Sequence, residues 1–180
     1  MRELTADLFI SLDGFASGVK EPPFFGYSGD DLNAWIKENL AEPQTLVMGR
    51  VTYAAFSQFA INSTDELNAR MTALPKIVFS KTLHQPLMWK NTELINTPLE
   101  QELPRLKLQE GVPLRSIGSI SLVKSMMRFG LVDRLRLMIF PVVLGLVGRE
   151  PIYTGYEKTP LKLINSTILD SRIALLEYRP

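Results

Sequence analysis

Alternating apolar runs in this chain repeatedly end in glycine, serine or threonine turns, and several of those turns open directly onto helical spacing. This feature constrains the fold most, because strand, turn, helix and returning strand together form the repeating unit of a parallel sheet. In the first run Leu4, Ala6, Leu8, Ile10 and Leu12 share one side, Thr5, Asp7, Phe9, Ser11 and Asp13 the other, and Asp13-Gly14 ends it. Residues 15–29, rich in glycine and proline, read as a loop. A helix follows, with Ser28 or Asp30 as its cap, a stripe of Leu32, Trp35, Ile36 and Leu40, and Pro43 as its stop.

The alternation then continues. Thr45–Met48 reads as a short strand, Gly49-Arg50 as a break and Thr52–Phe59 as a helix. Ser63 and Glu66 have capping-box spacing before a short helix that Pro75 ends. Lys76–Ser80 is a buried strand and Thr92–Asn96 a weaker one. Thr97-Pro98 starts a helix with proline in the tolerated first position, and Pro104 predicts a kink or a restart within it. Leu114–Ile117 runs into Gly118-Ser119, then into a helix carrying Leu122, Val123, Met126 and Met127 that Gly130 terminates. Leu135, Leu137 and Ile139 alternate in the next strand. Leu161–Ile168 and Arg172–Tyr178 form a closing hairpin around Asp170-Ser171. The expectation is one α/β domain over residues 1–180, mainly parallel, with antiparallel C-terminal strands.

Composition removes whole classes of function. The 180 residues carry 20 Lys and Arg against 19 Asp and Glu, so a net charge of +1 gives no general attraction to nucleic acid or anionic membrane. There is no cysteine, which excludes disulfides, thiolate catalysis and cysteine zinc sites; the single histidine, His84, excludes multi-histidine metal sites. No metal is expected. No run approaches the ~18 apolar residues of a membrane span. A soluble protein of the cytoplasm is the expectation.

Ligands of such sheets sit beyond the carboxyl ends of the strands. Three turns there suit a phosphate. In Gly49-Arg50-Val51-Thr52 the glycine admits a close backbone approach, the following helix offers free amides, and Arg50 and Thr52 add donors. The same residues also describe an ordinary glycine turn with its arginine in solvent. Ser80-Lys81-Thr82 could hold a phosphate monoester or be a solvated turn. Gly118-Ser119-Ile120-Ser121 is a second glycine-to-helix junction, whose hydroxyls helix capping explains equally well. Neither the G-x-G-x-x-G fingerprint nor a Walker loop is present. Together the three turns point to a dinucleotide. Asp13 is the acidic candidate near the first strand's end, with an Asp-Gly turn as the alternative reading. Trp35, Trp89 and the Met126-Met127 pair read as packing residues.

These residues also carry a resemblance. Ser11-Leu12-Asp13-Gly14-Phe15, Leu46 to Tyr53, Pro75 to Leu83, Ser116-Ile117-Gly118-Ser119, Gly130-Leu131-Val132-Asp133 and Pro141 to Gly145 occur in one order over nearly the whole chain. The chain resembles dihydrofolate-reductase-like proteins, above all the C-terminal reductase domain of the bifunctional riboflavin-biosynthesis deaminase-reductase. The resemblance implies a three-layer fold that binds NADPH and reduces a pyrimidine- or pteridine-like ring, as a 5-amino-6-(5-phosphoribosylamino)uracil reductase does. It implies Gly49, Arg50 and Thr52 at the cofactor phosphates, Ser80 and Lys81 near the 2′-phosphate, and Gly118, Ser119 and Ile120 along the pyrophosphate and nicotinamide. It further implies Asp13 facing the substrate, and a homodimer. Many relatives carry two or three glycines where Ile117-Gly118-Ser119 stands and an acid where Arg134 follows Asp133. No deaminase domain is attached, so a stand-alone reductase is expected. The alternatives are an NADP-binding protein without turnover and a dihydrofolate reductase.

Overall fold

The structure, a computed structural model, describes residues 1–62 and 65–180. Its strands are β1 (Leu4–Ser11), β2 (Phe15–Gly18), β3 (Thr45–Gly49), β4 (Lys76–Phe79), β5 (Thr92–Ile95), β6 (Leu114–Ile117), β7 (Arg134–Phe140), β8 (Gly148–Pro151), β9 (Lys162–Leu169) and β10 (Ile173–Arg179). The α-helices are α1 (Asp30–Ala41), α2 (Arg50–Asn62), α3 (Glu66–Ala73), α4 (Leu99–Leu108) and α5 (Ile120–Arg128). One sheet runs in the order β5-β4-β3-β6-β1-β7-β10-β9, and β2 pairs with β8 in a separate ribbon. β5 through β7 are mutually parallel, while β10 is antiparallel to β7 and β9 to β10.

The two helical layers follow from alternation along the strands. Leu4, Ala6, Leu8 and Ile10 of β1 bury against Leu99, Leu103 and Leu106 of α4 and Leu122, Val123 and Met126 of α5. On the opposite face Leu46, Met48 and Val78 pack with Leu40 and Tyr53, and Leu32 of α1 packs with Met138, Phe140 and Leu175. Helices α1–α3 therefore cover one face and α4–α5 the other, the three layers expected. Burial of each such leucine stabilises the fold by about 1.5–3 kcal/mol.

Chain order makes β6 special. From β1 the chain steps outward through β3 and β4 to β5, then returns to lay β6 between β3 and β1. β3 and β1 send their next helices to one face and β6 sends α5 to the other. The ends of these three strands thus form the sheet's topological switch point, where a crevice opens.

Several local expectations are corrected. Residues 15–29 are not one loop: they contain β2 and a 3-10 turn at Pro23–Gly26. β8 and a second 3-10 turn, Gly145–Val147, are additional elements whose few residues carry no readable period. Neither Ser28 nor Asp30 caps α1. Gly29 occupies the cap position, and the Asp170 carboxylate accepts from the amides of Asp31 (3.0 Å) and Leu32 (3.1 Å). The Thr52–Phe59 helix is longer at both ends. Ser63 lies outside the described residues, and the cap of α3 is Asp65, which accepts from the Asn68 amide. Pro98 precedes the first turn of α4, and the helix runs unbroken through Pro104.

Candidate functional site

β3 stays level with both neighbours, Val47 opposite Ser116 of β6 and Gly49 opposite Phe79 of β4. The three sequence-predicted turns therefore open side by side. Gly49 meets Ser119 directly: a Cβ on Gly49 would collide with the Ser119 Oγ, and one on Gly118 would lie 3.8 Å from Thr52 Oγ1. Gly118 has φ of 108° and Ser119 a φ of 69°, a left-handed conformation that costs a serine roughly 1–3 kcal/mol. Ser119 stands at the N-cap of α5 yet makes no side-chain cap, and the Ser121 carbonyl merely accepts from Ser125 Oγ. The capping explanation of those hydroxyls is thus set aside, and the first amides of α5 stay open. Ile120 opens the helix.

Arg50 is the first residue of α2, so that helix end also faces the crevice with unpaired amides. Among the described residues the side chains of Arg50, Thr52, Lys81 and Ser119 make no hydrogen bond or ion pair, and Arg50 and Lys81 are exposed. Two uncommitted cations thus flank one glycine-lined notch. Ser80 differs: its Oγ accepts from the amides of Thr82 (3.2 Å) and Leu83 (3.0 Å), closing its own turn. Lys81 is left as the free donor of that turn.

Asp13 lies at the far side of the notch, beyond β1. Its carboxylate accepts from Ser11 Oγ at 2.7 Å and from the amides of Leu144 (3.1 Å) and Gly145 (2.8 Å). The Ser11 hydrogen bond foremost, with those amides, holds its pKa below the usual carboxylate range. Asp13 is therefore a charged clamp on the loop after β7. Gly14 beside it takes φ of 83°, and the Tyr153 ring fills the place of its missing side chain. Trp89 is buried, and His84 is exposed in the loop after β4.

The sequence reading missed a buried charge cluster beneath the site. Asp7 binds Arg136 through both oxygens (2.6 and 2.9 Å) and Arg115 at 2.6 Å, and both guanidinium groups lie over the Trp35 ring. Trp35 thus packs against charge as well as hydrocarbon. Part of the signal was available: Asp7 and Arg136 occupy the polar side of alternating strands, and Arg115 lies on the same face of the neighbouring β6.

On the opposite face a cavity of about 140 Å³ lies beneath Ile152, Tyr153 and Tyr156, over Leu8, Leu135 and Leu137. Its walls are mainly apolar, and Glu157, the charged residue among them, would repel a phosphate. No cluster of His, Cys, Asp and Glu among the described residues could hold a metal, and no described helix is long and apolar enough to cross a membrane.

An α/β sandwich with a glycine-lined crevice at its switch point defines the class of doubly wound folds that take ligands at their strand ends. The chain belongs to the family of the RibD C-terminal domain, which it matches over residues 2–175. It is similar to YyaP of Bacillus subtilis (strain 168), an uncharacterised protein, at 27% identity over 98% of this chain and 94% of that one. Its fold is shared with a diaminohydroxyphosphoribosylaminopyrimidine deaminase/5-amino-6-(5-phosphoribosylamino)uracil reductase of Thermotoga maritima, with TM-score 0.68 and 16% identity. That match covers 99% of this chain and 56% of the larger protein. The dihydrofolate reductase of Enterococcus faecalis, solved with NADP(H), matches with TM-score 0.65 and 14% identity over 98% of this chain and 95% of that one. The fold is therefore dihydrofolate-reductase-like.

Proposed function

We propose that the protein is an NADPH-dependent reductase that delivers a hydride to a pyrimidine- or pteridine-like ring, acting as a stand-alone counterpart of the 5-amino-6-(5-phosphoribosylamino)uracil reductases. One observation carries the reading: Gly49 and Ser119 in contact, with Thr52 and Gly118 beside them and the unpaired cations Arg50 and Lys81 alongside. A notch lined by small residues and hydroxyls between two helix N-termini suits a pyrophosphate, and a separate free lysine suits a further phosphate. The residues present fit NADPH.

Gly49 makes room for the Ser119 side chain and Gly118 admits the cofactor backbone, the first amides of α2 and α5 and the Ser119 hydroxyl donate to its phosphates, and Arg50 and Lys81 neutralise them. When bound, NADPH supplies the hydride. Asp13 positions the substrate side by holding the Leu144–Gly145 turn. Its hydrogen bonds favour the ionised form, which supports water rather than Asp13 as the proton source. That shortage of a protein acid favours a second reading, an NADP-binding protein without turnover. The protein acts in the cytoplasm, as a homodimer.

Calorimetric titration with NADPH and NADH tests the cofactor. NADPH should bind at least tenfold more tightly, and equal affinities would remove Lys81 from a 2′-phosphate site. Arg50→Ala should weaken NADPH by tenfold or more, a loss of about 1.4 kcal/mol. Loss of NADPH absorbance with dihydrofolate, quinonoid and aminouracil substrates then decides turnover. Binding with silence across that panel selects the second reading.

A further inference from the structure

We infer that Arg115 sets cofactor affinity without touching the cofactor: with Asp7 and Arg136 it keeps an excess of buried positive charge beneath the crevice, and that field strengthens anion binding at the Gly118–Ser119 turn. The inference rests on the reductase reading and adds a charged positioning residue to its cofactor site.

Register fixes the height of the cluster. Asp7 of β1 is level with Ile117 of β6 on one side and with Arg136 of β7 on the other. Ile117 is the last residue of β6, so Asp7 stands one residue, about 3.3 Å of strand rise, below Gly118. Arg115 starts two residues lower, level with Thr5, yet its Nε donates to Asp7 at 2.6 Å. Its side chain therefore climbs towards the strand ends. Neighbouring strands lie about 4.8 Å apart, which brings the Arg115 guanidinium within roughly 10 Å of the Gly118–Ser119 turn. Trp35 of α1 covers both guanidinium groups, 5.5 Å from that of Arg115 and 5.0 Å from that of Arg136. α2, whose N-terminus opens on the notch, packs on this same face of the sheet.

One carboxylate faces two guanidinium groups here. The side chains of Asp7 and Arg115 are buried and that of Arg136 nearly so. A structural ion pair is balanced, because an uncompensated buried charge costs stability. This cluster instead carries one positive charge in excess. Burial lowers the Arg115 pKa, Asp7 opposes that shift and Arg136 adds to it. A guanidinium nonetheless stays charged at any working pH.

The neighbouring charges leave the excess in place. Glu177 of β10 is level with Arg136, but it accepts from Arg134 at 2.9 Å and from Asn165 at 3.1 Å. Arg134 also pairs with Glu3, whose side chain is 48% exposed and therefore screened by water. On α1, Glu38 is exposed and Lys37 pairs with Glu66 at the surface. Across β10, β7, β1 and β6 the charges thus run Glu177, Arg136, Asp7, Arg115, and the positive end lies on the strand that leads into the crevice. Ile117 beside Asp7 belongs to an apolar cluster, so the field crosses hydrocarbon, where it is weakened less than in water.

Calorimetric titration of the full-length protein with NADPH and with inorganic pyrophosphate tests the inference. Arg115→Gln leaves Asp7 bound to Arg136 through both oxygens and should weaken both probes at least fivefold. Arg115→Lys keeps the charge but not the hydrogen-bond geometry, and should stay within about twofold of wild type. Asp7→Asn removes the opposing charge. It should lower the denaturation midpoint yet tighten both probes at least threefold, the reverse of what a merely structural cluster gives. Should Asp7→Asn not fold, the two Arg115 variants decide. Equal weakening by Gln and Lys, unchanged affinity in Arg115→Gln, or weaker binding by folded Asp7→Asn would overturn the inference. A wild-type protein that binds neither probe would overturn the reductase reading itself.

Discussion

Gly49 and Ser119 touch from two different turns, so one tests the other. An alanine at Gly49 must push Ser119 aside, and overpacking of this kind costs about 1–3 kcal/mol. Gly49→Ala should lower stability by that amount and weaken NADPH at least tenfold. Ser119→Gly removes both the colliding atom and the left-handed serine. The double variant should recover most of the lost stability in urea denaturation, whereas additive losses would show that the two turns do not press on each other. Glycine at 49 and 118 was legible in the sequence as a mark of close approach. The strain at Ser119 was not, because φ depends on where β6 and α5 meet rather than on residue type.

At the scale of elements, remote residues finish what local sequence leaves open. Asp170, in the β9–β10 turn, caps α1, so Asp170→Ala should destabilise the fold by about 1 kcal/mol with little change in cofactor affinity. A wild-type denaturation midpoint in that variant would show that the cap contributes nothing. Lys76, at the start of β4, is buried and donates to the carbonyls of Met71 (3.0 Å), Thr72 (2.9 Å) and Leu74 (2.7 Å), closing the end of α3. Burial lowers its pKa from 10.5 to about 8. The unfolded chain thus holds this proton more tightly, so burying the charged Lys76 costs stability below about pH 8, and that cost is relieved as pH rises towards 10.5. Between pH ~7 and ~9 wild type should gain about 1 kcal/mol relative to Lys76→Met, read as the difference of their denaturation curves. Parallel curves across that range would contradict the shift. The main strands and helices were legible because their apolar periods extend over several residues. β2 and β8 were not, since each is four residues long and exists through its partner. The Asp170 cap was hidden for the same reason: its contact joins distant parts of the chain.

Across the whole molecule the two faces of the sheet are unequally covered. α4 and α5 shield the sheet as far as β7, and among the described residues no helix covers the same face of β10 and β9. There Leu161, Leu163 and Ile168 are 39%, 52% and 61% exposed, and the groove under Tyr153 and Tyr156 runs into the same surface. β9 is also the sheet's edge strand, eight residues long, with Lys162 as its one charged side chain. Edge strands so weakly protected attract another strand or sheet face, and a twofold pairing would bury the same apolar residues of both copies. This supports the proposed homodimer. Light scattering should give twice the 20.3 kDa chain mass for wild type and the single mass for Ile168→Glu. The switch-point notch lies at the strand ends, away from this face, so the monomeric variant should keep its NADPH affinity. A wild-type monomer at ~10 µM would exclude the homodimer. Loss of NADPH binding together with dimerisation would show instead that the second copy holds the notch in shape.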